Sequence, residues 1–333
     1  MEPVGSAVSP TAVVFGGGFV GRAVCTALSD AGRQVTAVVR GTPEPALPAG
    51  CRTVLLDVLH TDPDVLRAEL ADLRPGVVVN TVGALWGVDE TELAEANVTF
   101  VERLVGAVSA LPDRVRLVHI GSAYEYGPHP GRRELAETLP GRPVSGYARS
   151  KLAGTRIITD AVDAGRIDAV VLRIGLAVGP HASRHSLLGG IARDLAGRPD
   201  EVRLPPISGV RDIVDVRDVA AAVLDAARAH RVPPVVNIGS GTGVRLVDAV
   251  DTLFRVAGVE PAVSTAARGP EPSERRDAGI GEQPLDVGLA RRELGWVPAR
   301  TLTEALRGLW DSVGGPTTAS PSTVAVDGES IHG

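Results

Sequence analysis

From Thr11 onward, short runs of β-branched and aliphatic residues alternate with helical segments, and this alternation limits the fold more than any other feature. It is typical of a parallel sheet that is covered by helices on both faces. Because the runs are apolar almost throughout, they suit strands that are buried on both sides. The sequence therefore predicts a doubly wound α/β fold. Six strands are predicted, at 11–15, 34–39, 52–56, 76–80, 116–120 and 169–173, with helices between them at 19–31, 62–73, 91–110 and 147–164.

The pattern becomes less regular after Gly179 and Pro180, where a smaller C-terminal lobe is expected. A tail rich in Gly, Ser, Thr and Pro follows, and such a composition predicts disorder. Later elements are expected as a helix near 186–196, a strand near 211–216, a helix near 217–229 and a strand with its turn at 237–241. The predicted division is a flexible N-terminus at 1–10, a sheet domain at 11–175 to which 210–240 returns, a lobe that is mainly 176–312, and a disordered tail at 313–333.

Composition excludes several classes of function. The chain has 333 residues, a formal charge of -6 and 44% hydrophobic residues, which fits a globular enzyme and gives no basic footprint for nucleic acid or a membrane surface. The two cysteines, Cys25 and Cys51, lack the spacing of metal ligands, so a disulfide framework or a structural zinc site is not expected. Without a signal-like N-terminus or an apolar run of ~18 residues, a cytoplasmic location is expected.

A glycine-rich turn follows the first predicted strand. Gly16, Gly18 and Gly21 form a GxGxxG pattern at the point where a helical run begins. In this context the glycines allow a tight turn and let the backbone approach a pyrophosphate at the helix N-terminus. The sequence thus predicts a Rossmann domain that binds a nicotinamide dinucleotide, and the alternative is a plain glycine-rich strand-to-helix turn.

Arg40 stands at the end of the second predicted strand, where sites that prefer NAD usually carry an acidic residue for the ribose hydroxyls. A guanidinium suits a 2′-phosphate instead, so NADP(H) is favoured and NAD(H) stays possible. Alternatively, Arg40 points into solvent. Asp57, at the end of the third strand, either accepts a hydrogen bond from the adenine amino group or caps the following turn.

Tyr147 and Lys151 lie four residues apart in YARSK, on one face of a predicted helix. A tyrosine hydroxyl with a pKa of about 10 is a poor acid or base at neutral pH, and an adjacent ammonium is expected to lower that pKa. Tyr147 could then exchange a proton with a substrate oxygen while a hydride moves to or from the nicotinamide. Ser122, at the end of the fifth strand, would lie at the sheet edge where ligands bind, and its hydroxyl could hold the same oxygen.

In the order and spacing of these motifs, the chain resembles an extended short-chain dehydrogenase/reductase over about residues 11–312. The matching segments are GGGFVG at 16–21, NVT at 97–99, GSAYEYG at 121–127, YARSK at 147–151, LRIGLAVGP at 172–180, VRDIVDVRDVA at 210–220, NIGSG at 237–241 and LGW at 294–296.

The resemblance implies a role for each matching residue. Ser122, Tyr147 and Lys151 would be the catalytic triad, with Lys151 also bound to the nicotinamide ribose, and Asn97 would support the active-site helix and a water relay. It also implies a homodimer that pairs the helices at 91–110 and 147–164. The implied cofactor-binding residues are Gly16, Gly18, Phe19, Val20, Gly21, Arg40, Asp57, Val58, Thr81 and Lys151, and the implied substrate-binding residues are Ser122, Ala123, Tyr124, Tyr147, Arg211 and Arg276, the two arginines gripping a diphosphate.

Tyr124 narrows the reaction that the resemblance implies. Dehydratases and decarboxylases of this family carry a Glu two residues after the catalytic Ser or Thr, and this chain has Tyr124 there. The motifs are most similar to those of NADPH-dependent reductases of GDP- or TDP-4-keto-6-deoxyhexoses. Reduction of such a nucleotide-diphosphate sugar is the expected activity.

Three alternatives stay open. The first is a nucleotide-sugar epimerase with tightly bound NAD. The second is a reductase of a non-sugar ketone from secondary metabolism, because Leu176 replaces an Asn common in nucleotide-sugar enzymes. The third is a non-catalytic NADP sensor, which the presence of both Tyr147 and Lys151 disfavours.

Overall fold

The computed structural model describes residues 11–42, 46–83, 88–197, 202, 204, 207–259 and 284–314. Seven parallel strands form its main sheet: β1 (Thr11–Phe15), β2 (Gln34–Val39), β3 (Arg52–Leu55), β4 (Val77–Asn80), β5 (Arg116–Ser122), β6 (Asp168–Ile174) and β9 (Val235–Ile238). Their order is β3-β2-β1-β4-β5-β6-β9. The order reverses between β1 and β4, and ligands of open α/β sheets bind at the carboxyl ends of the strands beside such a point. The predicted doubly wound fold is confirmed.

Helices cover both faces of the main sheet. The helices are α1 (Phe19–Asp30), α2 (Pro63–Leu73), α3 (Glu90–Ala94), α4 (Phe100–Ser109), α5 (Gly146–Asp163), α6 (Leu187–Gly197), α7 (Val216–Arg228), α8 (Leu246–Ala257), α9 (Gly288–Leu294) and α10 (Leu302–Ser312). On one face, α1 and α7 pack with the even-numbered residues of β1, and α9 joins them. On the other face, α2, α4 and α5 bury their apolar residues against Val13 and Phe15 of β1.

The predicted helix at 91–110 is not one continuous α-helix. A π-helical turn, Glu95–Thr99, separates α3 from α4. A Cβ atom on Gly154 of α5 would lie 2.4 Å from the Asn97 carbonyl oxygen, so α5 passes against this turn in close contact. Single π turns within helices are frequent at functional sites, and this one carries Asn97.

A smaller lobe stands beside the sheet. Its strands β7 (Leu176–Val178), β8 (Val210–Asp215) and β10 (Gly243–Arg245) form a second sheet, and α6, α8 and α10 bury a separate apolar core with it. Within the predicted return at 210–240, α7 and β9 do join the main sheet, whereas β8 belongs to the lobe. Among the residues that the structure describes, no helix is long and apolar enough to cross a membrane.

Asp212 of β8 ties the lobe to the main sheet. Its buried carboxylate accepts hydrogen bonds from the backbone N–H groups of Ser240, Gly241 and Leu285 at 2.6–3.0 Å, and from the Ser240 hydroxyl at 2.8 Å. Burial raises the pKa of Asp212, while the donors oppose the rise. A single carboxylate thus joins three chain segments that are far apart in sequence.

Candidate active site

The glycine turn between β1 and α1 is built for close backbone contact. Gly16 has φ of +98°, and a Cβ atom there would lie 2.7 Å from the Thr81 hydroxyl oxygen. A Cβ on Gly21 would lie 2.1 Å from the Gly16 carbonyl oxygen. At Gly18, in contrast, a Cβ would meet no atom within 4 Å, and no side chain caps the α1 N-terminus that begins there. The turn therefore offers open space and free backbone N–H groups to a pyrophosphate, which fits a dinucleotide.

We expect Gly21→Ala to weaken binding of the reduced nicotinamide dinucleotide by about tenfold or more, because the added methyl must push the Gly16 backbone and overpacking typically costs about 1–3 kcal/mol. The dissociation constant from nicotinamide fluorescence checks this. Gly106→Ala is the matched control: Gly106 is exposed on α4 with no atom within 4 Å of its Cβ position, so binding should not change. Equal affinities for both variants would contradict the close-contact role of Gly21.

Phe19, Val20, Val58 and Thr81 surround this turn. Phe19 begins α1 and packs against the lobe core, whereas Val20 packs against the sheet core. Val58 is buried under the opposite face of the sheet. The Thr81 hydroxyl donates to the Phe15 carbonyl at 2.8 Å, so its visible role is to brace the turn.

Arg40 and Asp57 lie together at the carboxyl ends of β2 and β3. The Asp57 carboxylate accepts a hydrogen bond from Leu59 N–H at 3.3 Å and pairs with the His60 ring at 2.9 Å. It therefore caps the turn that follows β3, which is one of the two roles that the sequence analysis considered for it. His60 and, more weakly, the exposed Arg40 hold the pKa of Asp57 below its usual value. Asp57 in turn raises the pKa of His60. This corner therefore brings two basic side chains together.

The catalytic candidates meet at the end of β5. Ser122 is buried, and its hydroxyl lies beside Tyr147 at the start of α5, where it lowers the pKa of the phenol. The same hydroxyl accepts from Tyr124 N–H at 3.3 Å. The rings of Tyr124 and Tyr147 lie edge to face with their centroids 5.9 Å apart. The sequence-predicted pair of hydroxyls is thus in place, with an aromatic ring beside it.

Protonation of Tyr147 differs from the sequence-based expectation. Burial raises its pKa to about 12, and the hydrogen bond from Ser122 only partly offsets this. The predicted lowering by Lys151 is wrong for this arrangement, because the Lys151 ammonium donates to the Ile120 carbonyl at 2.6 Å instead. The phenol is therefore fully protonated at neutral pH, which is the form of a proton donor.

Lys151 sits in a buried polar pocket. It is 4% exposed, and desolvation lowers its pKa to about 8. A Cβ on Gly83 would lie 3.2 Å from the Asn97 side-chain oxygen and 3.9 Å from Lys151 Nζ, so these two groups border the same backbone position. The Asn97 amide donates to the Ser150 hydroxyl at 3.0 Å, which ties the π-helical turn to α5 as the resemblance implied.

Sequence reasoning missed Glu125 and Arg173. Glu125 is fully buried: one carboxylate oxygen accepts from Ser122 N–H, and the other accepts from the Thr155 hydroxyl and Arg173 Nε, each at 2.8 Å. The Arg173 guanidinium also lies over the Tyr126 ring at 4.6 Å. A charged residue inside the apolar run of β6 was the signal, because β6 pairs Arg173 with Gly121, next to Ser122.

The remaining substrate candidates lie on the lobe side. Ala123 is partly buried beside Leu135 and Tyr126. Arg211 is 9% exposed on β8 and donates to the Val210 carbonyl at 2.7 Å, so it is a buried strand residue and not a solvated loop charge. Arg276 lies outside the described residues. No cluster of three or more metal-ligating side chains occurs in the described part of the chain.

A doubly wound sheet, a glycine turn after β1, and a Ser–Tyr–Lys set at the end of β5 and the start of α5 define an extended short-chain dehydrogenase/reductase. Comparison with known proteins agrees. The model of the NAD dependent epimerase/dehydratase family matches residues 12–239, and the chain belongs to this family.

Two curated relatives span nearly the whole chain. The dTDP-6-deoxy-L-talose 4-dehydrogenase (NAD(P)(+)) of Kitasatospora kifunensis is 40% identical over 314 residues, which cover 92% of this chain and 96% of the relative. The UDP-glucose 4-epimerase of Streptomyces lividans is 26% identical over 325 residues, 90% of this chain and 94% of the relative. The chain is therefore an NAD(P)-dependent enzyme of a family that modifies nucleotide sugars.

A solved structure supports the fold. The UDP-glucose 4-epimerase of Thermus thermophilus, in complex with NAD, matches with a TM-score of 0.78 at 23% identity, covering 92% of this chain and 100% of that one. The predicted α/β fold and the resemblance to extended short-chain dehydrogenases/reductases are both confirmed.

Proposed function

We propose that this enzyme is an NADPH-dependent ketoreductase that acts at C4 of a nucleotide-diphospho-4-keto-6-deoxysugar, with dTDP as the favoured nucleotide. The observation that carries the proposal is the Ser122–Tyr147 hydroxyl pair, with Tyr124, and not a carboxylate, at the second position after Ser122. This arrangement supplies a proton to a reduced carbonyl oxygen. It lacks the acid at position 124 that the lyase reactions of the family need.

Ser122, Tyr147 and Lys151 each have one role in the proposed reduction. The nicotinamide, when bound, supplies the hydride. Ser122 donates a hydrogen bond to the substrate oxygen and stabilises the charge that develops there, and Tyr147 passes its proton to that oxygen. Since the pKa of Tyr147 is raised to about 12, the phenol starts in the protonated form that ketone reduction requires. The buried Lys151 can then stabilise the phenolate that remains.

The relative from Kitasatospora kifunensis supports this choice of substrate. Its name states oxidation at C4 of a dTDP-6-deoxyhexose, and reduction of the 4-ketone is the same reaction in reverse. On the lobe side, β8 carries Arg211, whose charge suits a diphosphate.

The direct test mixes the purified chain with NADPH and dTDP-4-keto-6-deoxyglucose or its 3,5-epimer. We expect the nicotinamide absorbance to fall in step with substrate, with NMR showing a new C4–H. An epimerase would interconvert UDP-glucose and UDP-galactose with no net change in absorbance. NADPH binding without turnover of any ketone would indicate a sensor. Turnover of only a non-sugar ketone would contradict the nucleotide-sugar proposal.

We infer that NADPH is the preferred cofactor because Arg40 and His60 share the corner at the ends of β2 and β3. Arg40→Ala should lower kcat/KM for NADPH by about 10- to 100-fold, since a charge-assisted hydrogen bond contributes about 1.5–3 kcal/mol, and should leave NADH nearly unaffected. Steady-state kinetics with both cofactors measure this. Arg52→Ala, an exposed arginine at the opposite end of β3, is the control. Equal losses with NADPH and NADH would exclude a 2′-phosphate contact.

We also propose a homodimer that pairs α4 and α5 with their copies, in line with the resemblance. Light scattering coupled to size exclusion gives the mass in solution, and a monomer at assay concentrations would remove this proposal.

A further inference from the structure

The two cysteines of the chain lie side by side in the cofactor domain, although they are far apart in sequence. Cys25 stands in the middle of α1, the helix that begins at the glycine turn. Cys51 directly precedes β3 at the edge of the main sheet. Neither residue takes part in the chemistry proposed above.

The register between β2 and β3 places the side chain of Cys51 on the face of the main sheet that α1 covers, and α1 carries Cys25. The pairing of β2 with β3 sets Thr53 opposite Ala37, whose side chain lies in the core under α1. Cys51, two positions before Thr53, points to that same face and packs against the core that contains Cys25. The two thiols are near enough that each is the largest single influence on the pKa of the other.

Only one of the thiols is open to solvent. Cys25 is 0% exposed. Cys51 is partly exposed and lines an open groove of about 420 Å³ together with Thr42, Ala46, Leu47, Thr53 and Leu55. A small oxidant can therefore reach the sulfur of Cys51, whereas Cys25 has no exposed surface.

We propose that Cys51 is a modification site for hydroperoxides and that Cys25 resolves the oxidised sulfur to an intramolecular disulfide. In the first step the Cys51 thiolate attacks one peroxide oxygen: an S–O bond forms, the O–O bond breaks, and hydroxide leaves and becomes water. In the second step Cys25 attacks the Cys51 sulfenic acid, the S–S bond forms, and the S–O oxygen leaves as water with the Cys25 proton. Two thiols and one hydrogen peroxide thus give a disulfide and two waters.

The electrostatics of the pair fit these separate roles. The hydrogen bond from Cys25 lowers the pKa of Cys51 to about 7, which makes a large fraction of it thiolate at neutral pH. The pKa of Cys25 is raised, first because it donates to Cys51 and second because it is buried, so it stays a thiol until Cys51 has reacted. The nucleophile is therefore the exposed member of the pair.

The test exposes the reduced, folded full-length chain to hydrogen peroxide, quenches it with acid, and alkylates it in denaturant before intact-mass analysis. We expect both alkylatable thiols to disappear together, with a mass lower by two hydrogens, and a reductant to restore both. Since the chain has two cysteines, an intramolecular disulfide can join only this pair. Two thiols that stay fully alkylatable, or disulfide-linked dimers in place of the internal bond, would overturn the proposal.

Two variants assign the order of events. In Cys25→Ala, Cys51 should stop at the sulfenic acid and be trapped by dimedone. In Cys51→Ser, which keeps a side chain of similar size next to Cys25, Cys25 should remain a thiol under the same exposure, because it is fully buried. Oxidation of Cys25 in Cys51→Ser at the wild-type rate would reverse the assignment. Because the wild-type measurement decides by itself, a variant that does not fold leaves the test intact.

Discussion

Tyr147→Phe is expected to lower kcat for ketone reduction by roughly 10²–10⁴-fold, the range that a positioned proton donor contributes. The substitution removes only the hydroxyl that hydrogen bonds to Ser122, and the ring still packs against Tyr124. Affinity for NADPH should therefore be retained. The measurement is single-turnover hydride transfer, together with the dissociation constant for the cofactor.

Tyr126→Phe is the matched control for that experiment. It makes the same chemical change two positions from Tyr124, but the Tyr126 hydroxyl donates to the Asn237 side chain at 2.7 Å in a fully buried site. This variant should lose about 1 kcal/mol of stability and keep its hydride-transfer rate within a small factor. If both variants lose activity equally, the loss at Tyr147 reports damage to the fold and not a missing proton donor.

Glu125→Leu is expected to reduce the free energy of unfolding by about 3–5 kcal/mol, because it leaves the Arg173 guanidinium buried without its carboxylate. It also removes the acceptor of Ser122 N–H, so activity should fall in the fraction that stays folded. Equilibrium unfolding in urea gives the stability change. Thr155→Val, which deletes one hydrogen bond to the same carboxylate, should cost only about 1 kcal/mol.

A double-mutant cycle separates the ion pair from general packing damage. Arg173→Leu by itself leaves the Glu125 carboxylate buried without its cation, and the double variant leaves neither charge. The double variant should therefore be less destabilised than the two single losses combined. Additive losses would show that the ion pair does not account for the cost of either single change.

The fold could be predicted from the sequence because its main signal is local. Apolar runs and the glycine turn each depend on a few neighbouring residues, and the strands that they predict all occur in the main sheet, although its strand order was not predicted. The π-helical turn at Glu95–Thr99 could not be predicted in this way. It lies where Gly154 lets α5 come against the Asn97 carbonyl, and that contact joins residues that are far apart in sequence.

The sequence predicted which of these side chains lie together, but not their protonation. Ser122, Tyr147 and Lys151 do come together, but burial decides the pKa of both ionisable groups, and burial depends on the whole core. Glu125 was missed for the same reason. Within YEY it resembles a surface carboxylate, and only the neighbouring strand shows that Arg173 faces it.

Asp212 sets a limit on how enzymes of this design can be recombined. Its carboxylate on β8 accepts hydrogen bonds from N–H groups of the turn after β9 and of Leu285. The contact between the lobe and the main sheet therefore depends on three segments of the chain that are far apart in sequence. The lobe is consequently not a cassette that can be exchanged by cutting the chain twice. In a chimaera that takes its lobe from a relative, the residue at position 212 and the segments that donate hydrogen bonds to it must come from the same parent protein.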